Sequence, residues 1–270
     1  VIPRDFITEW RAHAPWVQDA QVEQDLVICR ALVVIFTHPV LKEALAFRGG
    51  TALYKLYLKP AARYSEDIDL VQVRAEAAGP VMDALREVLD PWLGRAQYKQ
   101  SEGRVTFNYR FASEDPTPLP MRLKVEINTR EHFTHHGLQR VPFAVNSRWF
   151  EGSCDINTYD LDELLGTKLR ALYQRRKGRD LFDIATALSE ENAKPERIVS
   201  AFSRYMAEGG HRVTRAVFEE NLALKLADQR FLSDIPPLLA ADHTWDADAA
   251  AATVTGLLCP LLEGAPWAKR

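Results

Sequence analysis

Two short stretches limit what this chain can fold into and what it can then do. The first is Gly49-Gly50-Thr51, which opens an expected helix running through Leu58. The second is Asp67-Ile68-Asp69, in an expected strand continuing through Val73. A helix start preceded by glycines leaves backbone N–H groups and a positive dipole end free for a phosphate. On a strand, residues i and i+2 point the same way, so Asp67 and Asp69 project together while Ile68 and Leu70 face a core. Alone, a Gly-Gly is most often a turn and an Asp-x-Asp a solvated strand face. Together, in this order and at this spacing, they describe a place to hold Mg²⁺ against a triphosphate, and so point to nucleotidyl transfer.

The surrounding pattern is α/β. Residues 4–46 read as helical, with Leu26, Val27, Leu32, Val33, Ile35 and Phe36 as an apolar stripe and Pro39 as a break. Glu23 and Asp25, ahead of that stripe, read as a solvated helix start favoured by the dipole. An amphipathic helix is expected over Glu76–Leu89, ended by Pro91. Arg104–Phe111 and Met121–Asn128 alternate as half-buried strands, and Val141–Phe150 reads as a short strand and turn. Glu126 falls on the polar face of its strand with Lys124 and Asn128. It either joins the two aspartates as a third acid or is a surface glutamate opposite Lys124 and Arg122. His132, His135 and His136 read as a solvated loop, because zinc would need further ligands at fixed offsets.

The second half reads as helical. Asp160 suits an N-cap, with Glu163 completing a capping-box-like pair at the head of a helix over Leu161–Arg175. Lys168 falls inside the apolar stripe of Leu161, Leu165 and Leu172. Burying an unpaired ammonium is costly, so Lys168 either snorkels out along its stem or, the favoured reading, points into a site that holds anions. Arg175, Arg176, Lys177 and Arg179 form a basic cluster, either a solvated helix end or an RNA-facing patch. Beyond it a helix carries Leu181, Ile184, Ala185 and Leu188, with Asp180 as a helix-start acid. Helices are expected near Ile198–Met206, Val213–Leu224 and Asp246–Leu262, with Phe218, Leu222, Phe231 and Leu238 as core positions. The expected architecture is therefore a mixed sheet flanked by helices over residues 1–155, followed by a mainly helical domain over 156–270.

A formal net charge of −3 excludes nucleic-acid binding through the overall field, though not through a local surface. Three scattered cysteines make neither a disulfide framework nor a Cys-x-x-Cys zinc site. No apolar run reaches the ~18 residues of a membrane span, and Val1–Asp5 show no secretory-signal pattern. The expectation is a cytoplasmic protein.

Phe47-Arg-Gly-Gly-Thr-Ala-Leu-Tyr-Lys55, followed by Arg63-Tyr-Ser-Glu-Asp-Ile-Asp-Leu70, resembles the signature of the AbiEii/AbiGii (MenT-like) nucleotidyltransferase toxins. The resemblance runs from about Gln21 to Ala187. It includes Lys168…Arg175-Arg176…Arg179-Asp180-Leu-Phe-Asp183, similar to the motif in which a lysine and a downstream aspartate complete the active site. It implies a toxin that adds nucleotides to the 3′ end of tRNA and so stops translation, with a cognate antitoxin as partner. The expected site is then Asp67, Asp69 and Glu126 on two Mg²⁺, with Gly49, Gly50, Thr51, Lys55 and Ser65 around the nucleotide. Lys168 and Asp183 join as catalytic residues, and Arg175, Arg176, Lys177 and Arg179 contact RNA. A phosphate on Ser65 would place about two negative charges beside Asp67 and act as an off-switch; full activity of Ser65→Asp would refute this. The rivals are a transferase acting on a protein or small-molecule hydroxyl with the same centre, and a catalytically silent RNA-binding module.

Overall fold

The computed structural model describes residues 2–114, 117–189 and 193–268. Asp115 and Pro116, between the two alternating segments Arg104–Phe111 and Met121–Asn128, lie outside these. The chain divides into two compact units, Val1–Thr134 with Leu138–Tyr159, and His135–Gly137 with Asp160–Arg270.

The first unit begins with α1 (Arg4–Trp10), α2 (Asp19–Thr37) and α3 (Pro39–Ala44), then β1 (Leu45–Arg48). β1 turns directly into α4 (Gly49–Ala52), which continues as a π-helical turn over Leu53–Tyr57. β2 (Asp67–Gln72) and α5 (Gly79–Leu93) follow. Then come β3 (Gln97–Ser101), β4 (Arg104–Ala112), β5 (Pro120–Asn128), β6 (Leu138–Asn146) and β7 (Glu151–Tyr159). The strands form one seven-stranded sheet in the order β3-β4-β5-β2-β1-β7-β6. β1 with β7 and β2 with β5 are parallel and the other pairs antiparallel, so the sheet is mixed.

α2 is the central support. It packs against β5, β6 and β7 and against α1, α3 and α5. Because partners surround it, thirteen of its nineteen residues are buried, and a helix apolar on all sides is what such a place requires. Glu23 and Asp25 are buried with the rest. The expected solvated helix start is therefore wrong: the polar residues at its head are enclosed and must find partners.

Three strands escaped the sequence reading. β1 is four residues long and wholly apolar until Arg48, too short for a period to show. β3 is an exposed edge strand paired only with β4, so burial imposes no alternation on it. β7 closes an antiparallel hairpin with β6 over residues to which no strand was assigned. Pro91 also does not end α5. It sits in the last turn, and the stop comes at Gly94, whose φ of 77° is easy only for glycine.

In the second unit α6 (Leu161–Gln174) packs against α7 (Gly178–Leu188) and α8 (Pro195–Glu208), joined by α9 (Arg215–Leu226), α10 (Gln229–Leu232) and α11 (Ala247–Leu257). Phe218, Leu222 and Phe231 are core residues as expected, whereas Leu238 is only half-buried. Among the described residues no helix is long and apolar enough to cross a membrane, and Cys29, Cys154 and Cys259 are free thiols.

Candidate active site

The acids meet through strand register. β2 lies between β1 and β5, so Asp69 stands opposite Arg48 on one side and Glu126 on the other, while Asp67 stands opposite Lys124. Residues opposite one another share a face, and the i, i+2 spacing puts Asp67 and Asp69 on that same face. Glu126 is thus beside the Asp-x-Asp pair. Two cations lie among these acids. Lys124 Nζ is 2.8 Å from Asp67 Oδ2 and 3.7 Å from Glu126 Oε2, and Arg104 Nε is 3.3 Å from Glu126 Oε1. Arg48, across β1, is bonded to Glu131 at 2.6 Å.

The electrostatics follow from crowding. Burial, then the neighbouring charge of Asp67, raise the Asp69 carboxyl above its ordinary range, with Lys124 and Arg48 pulling the other way. Burial disfavours the Lys124 ammonium, but the bond and charge of Asp67 outweigh it and hold the lysine above its usual value.

The glycine turn reaches the same acids. Gly49 has φ 84°, and a Cβ built on it would lie 2.4 Å from Asp69 Oδ2. The glycine is needed twice over, for the left-handed backbone and for the close approach of the carboxylate. Gly49→Ala should therefore cost about 1–2 kcal/mol from the backbone alone and push the Asp69 carboxylate aside. Thermal unfolding and a nucleotidyl-transfer assay on the same sample will show both losses. Thr51 is buried, and its hydroxyl is spent on structure: it donates to Asp67 O at 2.5 Å and bonds Ser65 Oγ at 2.8 Å. Lys55, on the π-helical turn, is drawn to Asp25 Oδ2 at 2.6 Å.

The second unit gathers its own charges. Lys168 is buried, with Nζ 2.9 Å from Asp183 and 3.2 Å from Asp180, both fully buried. Lys168 does point at anions, and among the described residues these include two acids of α7. Asp180 is more than a helix-start acid, since Arg175 also grips it at 2.6 and 2.8 Å. The rest of the basic cluster is partnered too: Arg176 with Asp228, Lys177 and Arg179 with Asp234. The close approach of Phe231 O, which a Cβ on Gly178 would meet at 2.3 Å, keeps this corner compact. Asp160 caps α6 through Asp162 N, as expected. Glu163 does not complete a capping box. It is fully buried and accepts from the backbone N–H groups of His135 and His136 and from Tyr205 Oη. His135 and His136 bond Ser200 Oγ and Arg197 O, so this loop is anchored, while His135 stays exposed as expected.

Among the described residues no three acidic, histidine or cysteine side chains are gathered closely enough to hold a metal ion as they stand. The strand pair nevertheless fits a hard divalent cation. Asp67 Oδ1 is buried with no hydrogen-bond partner, its other oxygen is satisfied by a cation, and the donors are carboxylate oxygens, which suit Mg²⁺.

Sequence reasoning passed over Asp25 and treated Lys124 only as a neighbour of Glu126. The signal for Asp25 was present in the apolar residues on every face of α2, which imply that an acid there is enclosed.

A family profile described as the nucleotidyl transferase AbiEii toxin of type IV toxin–antitoxin systems matches residues 30–253. No curated protein matches the chain. Among solved structures, MenT4, a nucleotidyltransferase toxin from Mycobacterium tuberculosis H37Rv, is similar with a TM-score of 0.66 at 18% identity, over 97% of this chain and 90% of that one. A protein from H. pylori classed as a nucleotidyltransferase is similar with a TM-score of 0.60 at 17% identity, over 91% of this chain and 96% of that one. At these identities the two structures speak for the fold.

Proposed function

The chain belongs to the nucleotidyl transferase AbiEii toxin family of type IV toxin–antitoxin systems, and from that premise we propose that it moves a nucleoside monophosphate from a nucleoside triphosphate to an RNA hydroxyl, the tRNA 3′ end. The observation carrying this reading is the register that sets Asp67, Asp69 and Glu126 side by side, with Asp69 close against Gly49, which has no Cβ to keep it away. The acceptor oxygen bonds the α-phosphorus, the bond from that phosphorus to the β-phosphate bridging oxygen breaks, pyrophosphate leaves, and the hydroxyl proton passes to solvent. Asp67 and Asp69, with Glu126, would hold the divalent cation, which when bound neutralises charge on the transferring and leaving phosphates. Gly49 and Gly50 offer backbone N–H groups to the triphosphate and Lys55 a point charge. In this reading Lys168 and Asp183 are the catalytic residues supplied by the second unit, with Lys168 held by Asp180 and Asp183. Arg176, the most exposed of the basic cluster, and Lys177 are assigned to RNA backbone, which is read by charge and shape. The family implies an antitoxin as the partner in the same system.

The test is incubation with α-labelled ribonucleoside triphosphates, Mg²⁺ and total RNA. Label in tRNA is the expected result. Label in protein or small molecules instead would move the same chemistry to another acceptor. No label, with RNA retained, would overturn the enzymatic reading.

A further inference from the structure

We propose that Asp25 is a positioning residue for the nucleotide, holding Lys55 in a cavity wall as the cation that receives the anionic tail of a nucleoside triphosphate. The inference rests on the nucleotidyl-transfer reading and goes beyond it, because Asp25 precedes the stretch matched by the family profile and has no role in the site described above.

The cavity lies within the first unit and measures about 370 Å³. Lys55, Lys59 and Arg63 supply positive charge to its lining, beside Thr51 and Ser65, whose hydroxyls bond each other and Asp67 O. It borders the acidic strand directly, since Thr51 Oγ1 donates to the main-chain oxygen of Asp67. Cations beside a carboxylate pair are the chemistry a polyphosphate needs.

Asp25 is the one acid in that lining, and its carboxylate is fixed from three directions. Oδ1 accepts the indole N–H of Trp10 at 2.9 Å. Oδ2 accepts both the indole N–H of Trp16 at 3.2 Å and Lys55 Nζ at 2.6 Å. Such a carboxylate cannot follow Lys55 about; the lysine must come to it. Burial by itself disfavours the Lys55 ammonium, but the adjacent Asp25 charge more than reverses this, so the lysine stays charged. Burial pushes the nearby Cys29 thiol up to about 12, leaving it a neutral member of the wall.

A purely structural strut explains less. A buried ion pair is a weak source of stability, and here the lysine is the partner nearer the cavity opening, its side chain 15% exposed against 3% for Asp25. Lys55 also rides on a π-helical turn, an irregularity frequent at functional sites.

The experiment uses the full chain, labelled triphosphates, Mg²⁺ and total RNA, with thermal unfolding of every variant. Trp16→Phe keeps the ring and removes only the N–H that shares Oδ2 with Lys55. It should raise KM for the triphosphate about tenfold with kcat within about twofold. Asp25→Asn should raise KM about a hundredfold, and adding Lys55→Met to it should raise KM little further, because the two residues act as one unit. Should Asp25→Asn fail to fold, Trp16→Phe decides. An unchanged KM in Trp16→Phe, or a fall in kcat alone, overturns the role of Asp25 while leaving nucleotidyl transfer standing. If the wild-type chain transfers no label to any acceptor, the parent reading falls and this one with it.

Discussion

Asp69→Asn will reduce nucleotidyl transfer by a factor on the order of 10³ or more while leaving the protein as stable as the wild type, or more so. The two halves of that expectation share a cause. Asp69 is a half-buried carboxylate standing against Gly49, beside Asp67 on its own strand and Glu126 on the next. Burial and the Asp67 charge push its carboxyl up, so keeping it ionised works against folding. Asparagine has the same shape without the charge, and therefore relieves the crowding. It also removes an anionic oxygen from the set that would hold the divalent cation, and charge stabilisation at a transferring phosphoryl group is worth several kcal/mol. The measurements are label transfer to RNA and thermal unfolding, with and without Mg²⁺. Mg²⁺ should raise the wild-type Tm by binding only the folded state and should raise the variant's less. A variant that transfers at a tenth of the wild-type rate would sink the assignment of this face as the site, as would one that loses activity only by unfolding.

The largest effect on stability is expected from Lys168→Met. Lys168 joins Asp180 and Asp183 in the interior of the helical unit, and methionine keeps the length and volume of the stem. What is lost is the ammonium that both buried carboxylates share, and breaking such a buried pair costs about 3–5 kcal/mol. The pH dependence should change with it. Burial acts to raise the Asp180 carboxyl, but the Lys168 charge and the Arg175 bond outweigh that and hold it below the usual carboxylate range. A group depressed in the folded state contributes stability above its unfolded value, about pH 4, and loses it as pH falls through the folded one. In Lys168→Met that depression is weakened, Asp180 adds less stability above about pH 4, and the fall in stability through the acid range should be shallower than in the wild type. Denaturant unfolding across that range checks the direction. A variant within ~1 kcal/mol of the wild type, with an equally steep acid limb, would mean that Lys168 contributes little as a buried tie.

The basic cluster shows why charge counted along a sequence is a poor guide to charge presented on a surface. Arg175, Arg176, Lys177 and Arg179 read as a run of cations, yet Asp180, Asp228 and Asp234 partner them. Two of those acids come from more than fifty residues away along the chain, beyond any window in which a sequence pattern is sought. Glu163 is a similar case. Its place three residues after Asp160 fits a capping box, but the His135–His136 backbone and Tyr205 compete for the same carboxylate and win.

What the amino-acid sequence determined alone was local: the alternation of β4 and β5, the helical stripes, the i, i+2 placement of Asp67 and Asp69, and the glycines that open α4. These follow from backbone geometry and side-chain period, which act over a few residues at a time. The tertiary structure decided which strands are neighbours. Only the order β5-β2-β1 places Glu126 next to Asp69 and Arg48 across from it. It also decided that α2 is enclosed on every side, turning Asp25 from a surface acid into a buried partner for Lys55. Both outcomes depend on contacts between distant segments, where burial and pairing set what a charged side chain does.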